Sequence, residues 1–357
     1  MDLRRRGERL LRRMARAALG RVRASRPPRV PRLVNWDLTY ACPLRCEHCY
    51  SESGRRPSRQ LAQAELLRVA DVLLALSPVP EVVFTGGEPL LVKGIVEIAE
   101  RLRRGGSKLA LYTSGYQLRP PLADDLTRLF DRIAVSIDGD AAEVNDRIRG
   151  RGGAFQTALG ALEQLEAAAR GRPVKLGIEC TVVRSNLEHL EGLSRDLPRR
   201  FRRIDFVHFG AAIPTGLASE EAYAARELLD EQGLARLRAH SRALRDSAPR
   251  GVRVAVFDNA AFRMSKAQIR QGRANDDLVK IEADGRMRAV DIYEGTVGHV
   301  LEEPFDVLWA RACERHRAPF VEEQLANART MEQWARATRA IDRHYAAPED
   351  LARIRAR

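Results

Sequence analysis

Residues 38–54 read "LTYACPLRCEHCYSESG" and place three cysteines, Cys42, Cys46 and Cys49, on one loop at the end of an apolar, β-branched segment. The 357-residue chain holds only two more, Cys180 and Cys313, so most of its thiol chemistry sits within eight residues. Three thiolates spaced C-x3-C-x2-C suit three irons of a four-iron cluster and leave the fourth iron without a protein ligand, open to a chelating molecule. A closed structural zinc site is the alternative, and it wants a fourth Cys or His; His48 is on offer, but inside the same tight loop.

Outward from the cysteines the chain alternates strand-like and helix-like stretches. Apolar segments run from Leu33 to Thr39, Glu81 to Thr85, Leu109 to Thr113, Arg132 to Ile137, Val174 to Val183 and Ile204 to Phe209. Between them lie segments of helical period such as "QLAQAELLRVADVLLALS" and "AFQTALGALEQLEAAAR". This alternation predicts an α/β fold with a parallel sheet and right-handed crossovers, a partial (β/α)6 TIM-like barrel. Sites in such a barrel gather at the C-terminal ends of the strands. The motifs fall there: the cysteines follow the first strand, Thr85 to Pro89 ("TGGEP") ends the second, "TSG" (113–115) the third and Ser136 to Gly139 ("SIDG") the fourth.

The triple-cysteine spacing, followed in order by Gly86-Gly87-Glu88-Pro89 and Ser136-Ile137-Asp138-Gly139, resembles the radical S-adenosylmethionine enzymes over roughly residues 33–216. The resemblance implies one [4Fe-4S] cluster held by Cys42, Cys46 and Cys49, with S-adenosylmethionine chelating the open iron. It implies reductive cleavage to a 5′-deoxyadenosyl radical that abstracts hydrogen from a substrate. An electron donor such as flavodoxin or ferredoxin is then required.

Further residues match the cofactor's chemical groups. Gly86 and Gly87 allow close backbone approach, and the Glu88 carboxylate is a charged acceptor for an ammonium. Ser136 and Asp138 offer paired polar partners for ribose hydroxyls. His48 is a planar surface for adenine, with Ile213 and Pro214 as a second wall. Arg149, in "NDRIRG", matches a family position from which an arginine reaches the methionine carboxylate. The resembling motif carries asparagine where Ser114 stands. For the substrate, Glu179 shares a strand face with Gly177 and Thr181, pointing into the barrel, where a carboxylate needs a cation, a hydroxyl or the substrate itself. Asp37 and His208 invite the same reading and rank below the cofactor set.

Residues 278–312, "LVKIEADGRMRAVDIYEGTVGHVLEEPFDVLWARA", read as a strand, an Asp284-Gly285 turn, a second strand and a helix. The pattern is similar to the SPASM-type extension of peptide-modifying radical enzymes, without the cysteines that bind auxiliary clusters. The domain expectation is a basic arm at 1–32, a core barrel at 33–235 and a small α+β extension at 236–357. With no auxiliary electron acceptor, the chemistry expected is redox-neutral or consumes S-adenosylmethionine as the oxidant, and an epimerase would need a thiol hydrogen donor. Cys313, downstream of the hairpin, is the candidate.

The net charge of +13 resembles a nucleic-acid signature until it is located. Residues 1–32 hold twelve arginines against Asp2 and Glu8, a net of +10, leaving +3 for the rest. No specific nucleic acid is expected. The arm reads as a basic amphipathic helix suited to an acidic leader peptide, a partner or an anionic surface, or simply solvated. No apolar run of membrane-spanning length occurs, and the sparse, uneven cysteines point to a reducing cytoplasm. The substrate expected is a peptide in natural-product maturation, with a precursor peptide or its carrier as partner. The alternatives are a small-molecule enzyme acting on a sugar, nucleoside or tetrapyrrole side chain, and a non-catalytic iron–sulfur sensor.

Overall fold

The structure is a computed structural model and describes residues 30–259, 278–289, 292–315 and 318–357. The basic arm lies almost wholly outside the described residues. The chain opens with β1 (Leu33–Asp37), runs through the cysteine loop to α1 (Gln63–Leu74) and then alternates. The barrel units continue as β2 (Glu81–Thr85), α2 (Ile95–Arg104), β3 (Leu109–Thr113), α3 (Pro120–Leu129) and β4 (Arg132–Ser136). Next come α4 (Ala142–Arg149), α5 (Ala154–Ala168), β5 (Lys175–Val182), α6 (Leu190–Arg200) and β6 (Ile204–Ala211).

Each strand alternates its faces. Val34 and Trp36 of β1, Val82 and Phe84 of β2, and Ile133 and Val135 of β4 are fully or almost fully buried under the helices. Leu33, Asn35, Val83, Tyr112 and Ser136, on the other face, line an internal cavity. The helices supply matching stripes: in α1, Leu66, Val69, Ala70 and Leu73 recur at helical spacing and are buried.

The sheet extends beyond the six expected strands. After α7 (Glu221–Glu227) and α8 (Glu231–Ser247), β7 (Arg253–Phe257) pairs in parallel with β6. The expected boundary at 235 therefore falls inside α8, and a barrel strand lies beyond it. The C-terminal region then returns to the other end of the sheet: β8 (Leu278–Ile281) pairs in parallel with β1, and β9 (Arg286–Arg288) turns back antiparallel across Asp284-Gly285, where Gly285 takes φ +83°. β10 (Thr296–His299) completes the order β10-β9-β8-β1-β2-β3-β4-β5-β6-β7. The sheet is not closed. α9 (Phe305–Arg315), α10 (Pro319–Ala326), α11 (Met331–Tyr345) and α12 (Pro348–Arg355) complete the chain.

Candidate functional site

A cavity of about 460 Å³ opens at the C-terminal ends of the strands and is lined by Cys42, Cys46 and Cys49. That volume lies in the range of small-molecule and cofactor sites. The cysteine loop is held from three sides. At the end of α4, the Arg149 and Ile148 carbonyls accept hydrogen bonds from Arg45 N–H (3.1 Å) and Glu47 N–H (3.3 Å). Leu217 N–H donates to the Cys49 carbonyl at 3.1 Å, and Gly216, at φ +55°, packs so tightly on residues 49–50 that a Cβ would clash. On the third side Gly87 N–H donates to Thr39 O (2.6 Å) and Glu88 N–H to Ala41 O (2.9 Å). The glycine pair thus serves the loop as well as the cavity it lines: a Cβ at Gly86 would lie 2.5 Å from the Thr39 carbonyl, and one on Gly87 would collide with the Ala41 carbonyl.

Burial pushes the Cys42 thiol up to about 12 and the Cys46 thiol up to about 11. Metal binding must displace these protons. Among the described residues no three His, Cys, Asp or Glu side chains converge tightly enough to hold a single metal ion. Thiols that face one cavity without meeting at a point suit ligation of separate irons, and the donor set fits a cluster with one open iron.

Two of the expected cofactor contacts stand behind the wall instead of on it. Glu88 does not line the cavity. Its carboxylate accepts from the Thr113 hydroxyl (2.5 Å), Leu90 N–H (3.1 Å), Ser114 N–H (2.8 Å) and the Ser114 hydroxyl. Burial raises its pKa against the pull of these bonds. Ser114, standing where the resembling motif has asparagine, therefore supplies two of its four donors.

Asp138 is fully buried and likewise absent from the lining. Its Oδ2 lies 2.7 Å from Arg149 Nε and 2.9 Å from His48 Nε2, and its Oδ1 accepts from Thr181 N–H at 2.8 Å. Burial would raise the Asp138 pKa, but Arg149 and His48 outweigh it and hold the group below its ordinary value. For Arg149, burial is likewise overcome, by Asp138 and by Cys46, to which it hydrogen-bonds. His48, Arg149, Ser136 and Ile213 all line the cavity.

Glu179 lines the cavity too, and its partner is a histidine: cross-strand His208 places Nδ1 3.2 Å from Glu179 Oε2. Burial and the charge of Glu179 push Tyr112, on the same wall, up to about 12. Cys313 is elsewhere. It lies on α9, half-buried against the hydrophobic core, and is not part of the lining, whereas the second spare thiol, Cys180, is. The motif reading missed Tyr50 and Lys280. Tyr50 directly follows Cys49, and its hydroxyl donates to Asp37 at 2.9 Å. Lys280 arrives from the extension; a lone lysine in an apolar run was the available signal.

Residues 36–197 match the Radical SAM superfamily model. The chain carries a radical SAM domain. That superfamily uses a [4Fe-4S] cluster and S-adenosylmethionine, and its members are enzymes. Over 192 residues the chain is 32% identical to an AdoMet-dependent heme synthase of Methanosarcina barkeri, covering 53% of this chain and 53% of that protein. Over 162 residues it is 33% identical to the mycofactocin maturase MftC of Mycolicibacterium smegmatis, covering 45% and 40%. The chain thus spans about half the length, or less, of these curated relatives. In fold, it is similar to anSMEcpe with bound AdoMet (16% identity, TM-score 0.59, 91% of this chain and 99% of that one). It is also similar to Streptococcus suis SuiB bound to precursor peptide SuiA (14% identity, TM-score 0.60, 78% and 64%). The radical SAM domain accounts for the partial barrel, and no helix among the described residues is long and apolar enough to cross a membrane.

Proposed function

We propose that this protein binds one [4Fe-4S] cluster through Cys42, Cys46 and Cys49 and acts on a peptide during natural-product maturation. The observation that carries the chemistry is the set of three half-buried thiols lining one cavity at the strand ends. When bound, cluster and S-adenosylmethionine together supply reductive cleavage of the sulfonium to a 5′-deoxyadenosyl radical. The protein's own residues position and shield. Arg149, fixed by Asp138, presents a guanidinium beside Cys46 for the cofactor carboxylate. His48, fixed by the same carboxylate, offers its ring, and Ser136 its hydroxyl, to the nucleoside. Glu88 locks the ends of β2 and β3 so that Gly86 and Gly87 hold the cavity wall. Glu179, on the cavity wall with His208 behind it, is the group proposed to exchange a proton with substrate.

The peptide reading draws support from the likeness to a maturase and from the arginine-rich arm, which suits an acidic leader. The heme synthase relative favours a second reading, a tetrapyrrole or other small acid. A flavodoxin or ferredoxin is the proposed electron donor, in the cytoplasm. Anaerobic reconstitution followed by measurement of 5′-deoxyadenosine tests the proposal. Production should rise with the correct substrate class, and its absence under every reductant would overturn the radical assignment.

A further inference from the structure

The extension contributes a charge to the wall of the barrel. β8 sets Lys280 level with Asn35 of β1, and both residues line the cavity. The Lys280 side chain is 2% exposed. Its ammonium lies 2.9 Å from Asp37 Oδ2 and 3.8 Å from the centroid of the Tyr50 ring. Asp37 is already well supplied, because its Oδ1 accepts from Tyr50 (2.9 Å) and Thr85 (2.8 Å).

An ammonium has three N–H donors. Asp37 Oδ2 stands at ion-pair distance as the counter-charge but accepts no hydrogen bond, and the Tyr50 ring face covers one direction; among the described residues no hydrogen-bond acceptor is found for the ammonium. Burying a charge is costly unless its donors are met, and an apolar pair would fill the same space at no stability penalty. A buried ammonium with a spare donor on a cavity wall is therefore built to receive an acceptor from within the cavity. The acceptor's charge follows from the cations around the cavity: besides Lys280 they include Arg149 and, four strands away on β4, Arg132, which stands 3.7 Å from Glu81. Charge-assisted bonds to an anion are about twice as strong as neutral ones.

We propose that Lys280 is the substrate-anchoring residue of this cavity and takes a carboxylate oxygen of the substrate. On the peptide reading, on which this inference rests, the group is an aspartate or glutamate side chain or a chain-terminal carboxylate. Tyr50 and Asp37 are positioning residues that aim the ammonium.

The test uses holoenzyme reconstituted with iron and sulfide and saturated with S-adenosylmethionine. Binding of acetyl-Gly-Glu-Gly-amide, acetyl-Gly-Gln-Gly-amide and butyrate is measured by saturation-transfer NMR titration. The glutamate peptide should bind at least about tenfold more tightly than the glutamine peptide. Lys280→Met should erase that preference, and Lys280→Arg should keep it within about threefold of wild type. If butyrate shows the Lys280-dependent binding and the glutamate peptide does not, carboxylate anchoring stands and the peptide reading falls. The inference is overturned by a wild type indifferent to carboxylate against amide, by a preference that survives Lys280→Met, or by a Lys280→Met defect confined to S-adenosylmethionine affinity. Iron content and thermal melting report whether Lys280→Met folds. Should it not fold, the wild-type comparison of the two peptides, repeated with Lys280→Arg, decides the question.

Discussion

Replacing Asp350 by asparagine removes a carboxylate on which four arginines converge: Arg56 (3.3 Å), Arg59 (3.1 Å), Arg286 (3.0 Å) and Arg353 (3.3 Å). Arg56 and Arg59 belong to the segment that follows the cysteines, Arg286 to β9 and Arg353 to α12, so one side chain ties the cluster loop to the extension. Burial works to raise the Asp350 pKa, but Arg56, Arg353 and their neighbours bring it down to about 2, from 3.8. That difference corresponds to about 2 kcal/mol of stability at neutral pH. Leaving Arg56, whose side chain is 1% exposed, without its counter-charge moves the loss toward about 3–5 kcal/mol. Because the folded-state pKa is depressed, the contribution is full above the unfolded value and is lost as pH falls through about 2. About half of it is gone by pH 3. Guanidinium unfolding of wild type and Asp350→Asn, followed by circular dichroism at pH 7 and pH 3, measures both quantities. The variant should be less stable by about 2–4 kcal/mol at pH 7, with the gap narrowing at pH 3, and it should release iron faster to a chelator. A gap under about 0.5 kcal/mol at pH 7, or one that does not narrow with acid, would refute the reasoning.

Reconstituted protein should retain about four irons, and Cys46→Ala should lose both the cluster and S-adenosylmethionine cleavage; eight irons in well-formed clusters would show ligands beyond the three cysteines. Gly87→Ala forces a Cβ into the Ala41 carbonyl and is expected to lower the melting temperature and the iron content together, at a cost of about 1–3 kcal/mol. Asp138→Asn leaves Arg149 buried beside Cys46 without its carboxylate, so S-adenosylmethionine affinity, measured by equilibrium dialysis on the cluster-loaded protein, should fall about tenfold or more. In deuterium oxide, Cys313→Ala should leave any solvent-derived hydrogen in product unchanged, because Cys313 is absent from the cavity lining. Loss of that hydrogen on replacing Cys180 would mark Cys180, which does line the cavity, as the donor.

The sequence by itself determined the alternation of strand and helix, the rim on which the motifs gather and the three thiols. These are local matters: periodicity, spacing and turn chemistry are written within a few residues of one another. It also read the Asp284-Gly285 turn, where Gly285 alone supplies the positive φ at no steric cost. Partnership across the chain was decided only by the tertiary structure. Glu88 and Asp138 carry the motif's carboxylates, yet folding turns one onto Thr113 and Ser114 and the other onto His48 and Arg149, so both became supports behind the wall. β8 lies some 240 residues from β1 in sequence but joins it in parallel, and that pairing, invisible to any local pattern, brought Lys280 into the cavity beside Asp37. Such contacts depend on which strand edges meet and how buried charges find counter-charges, and both are properties of the whole sheet.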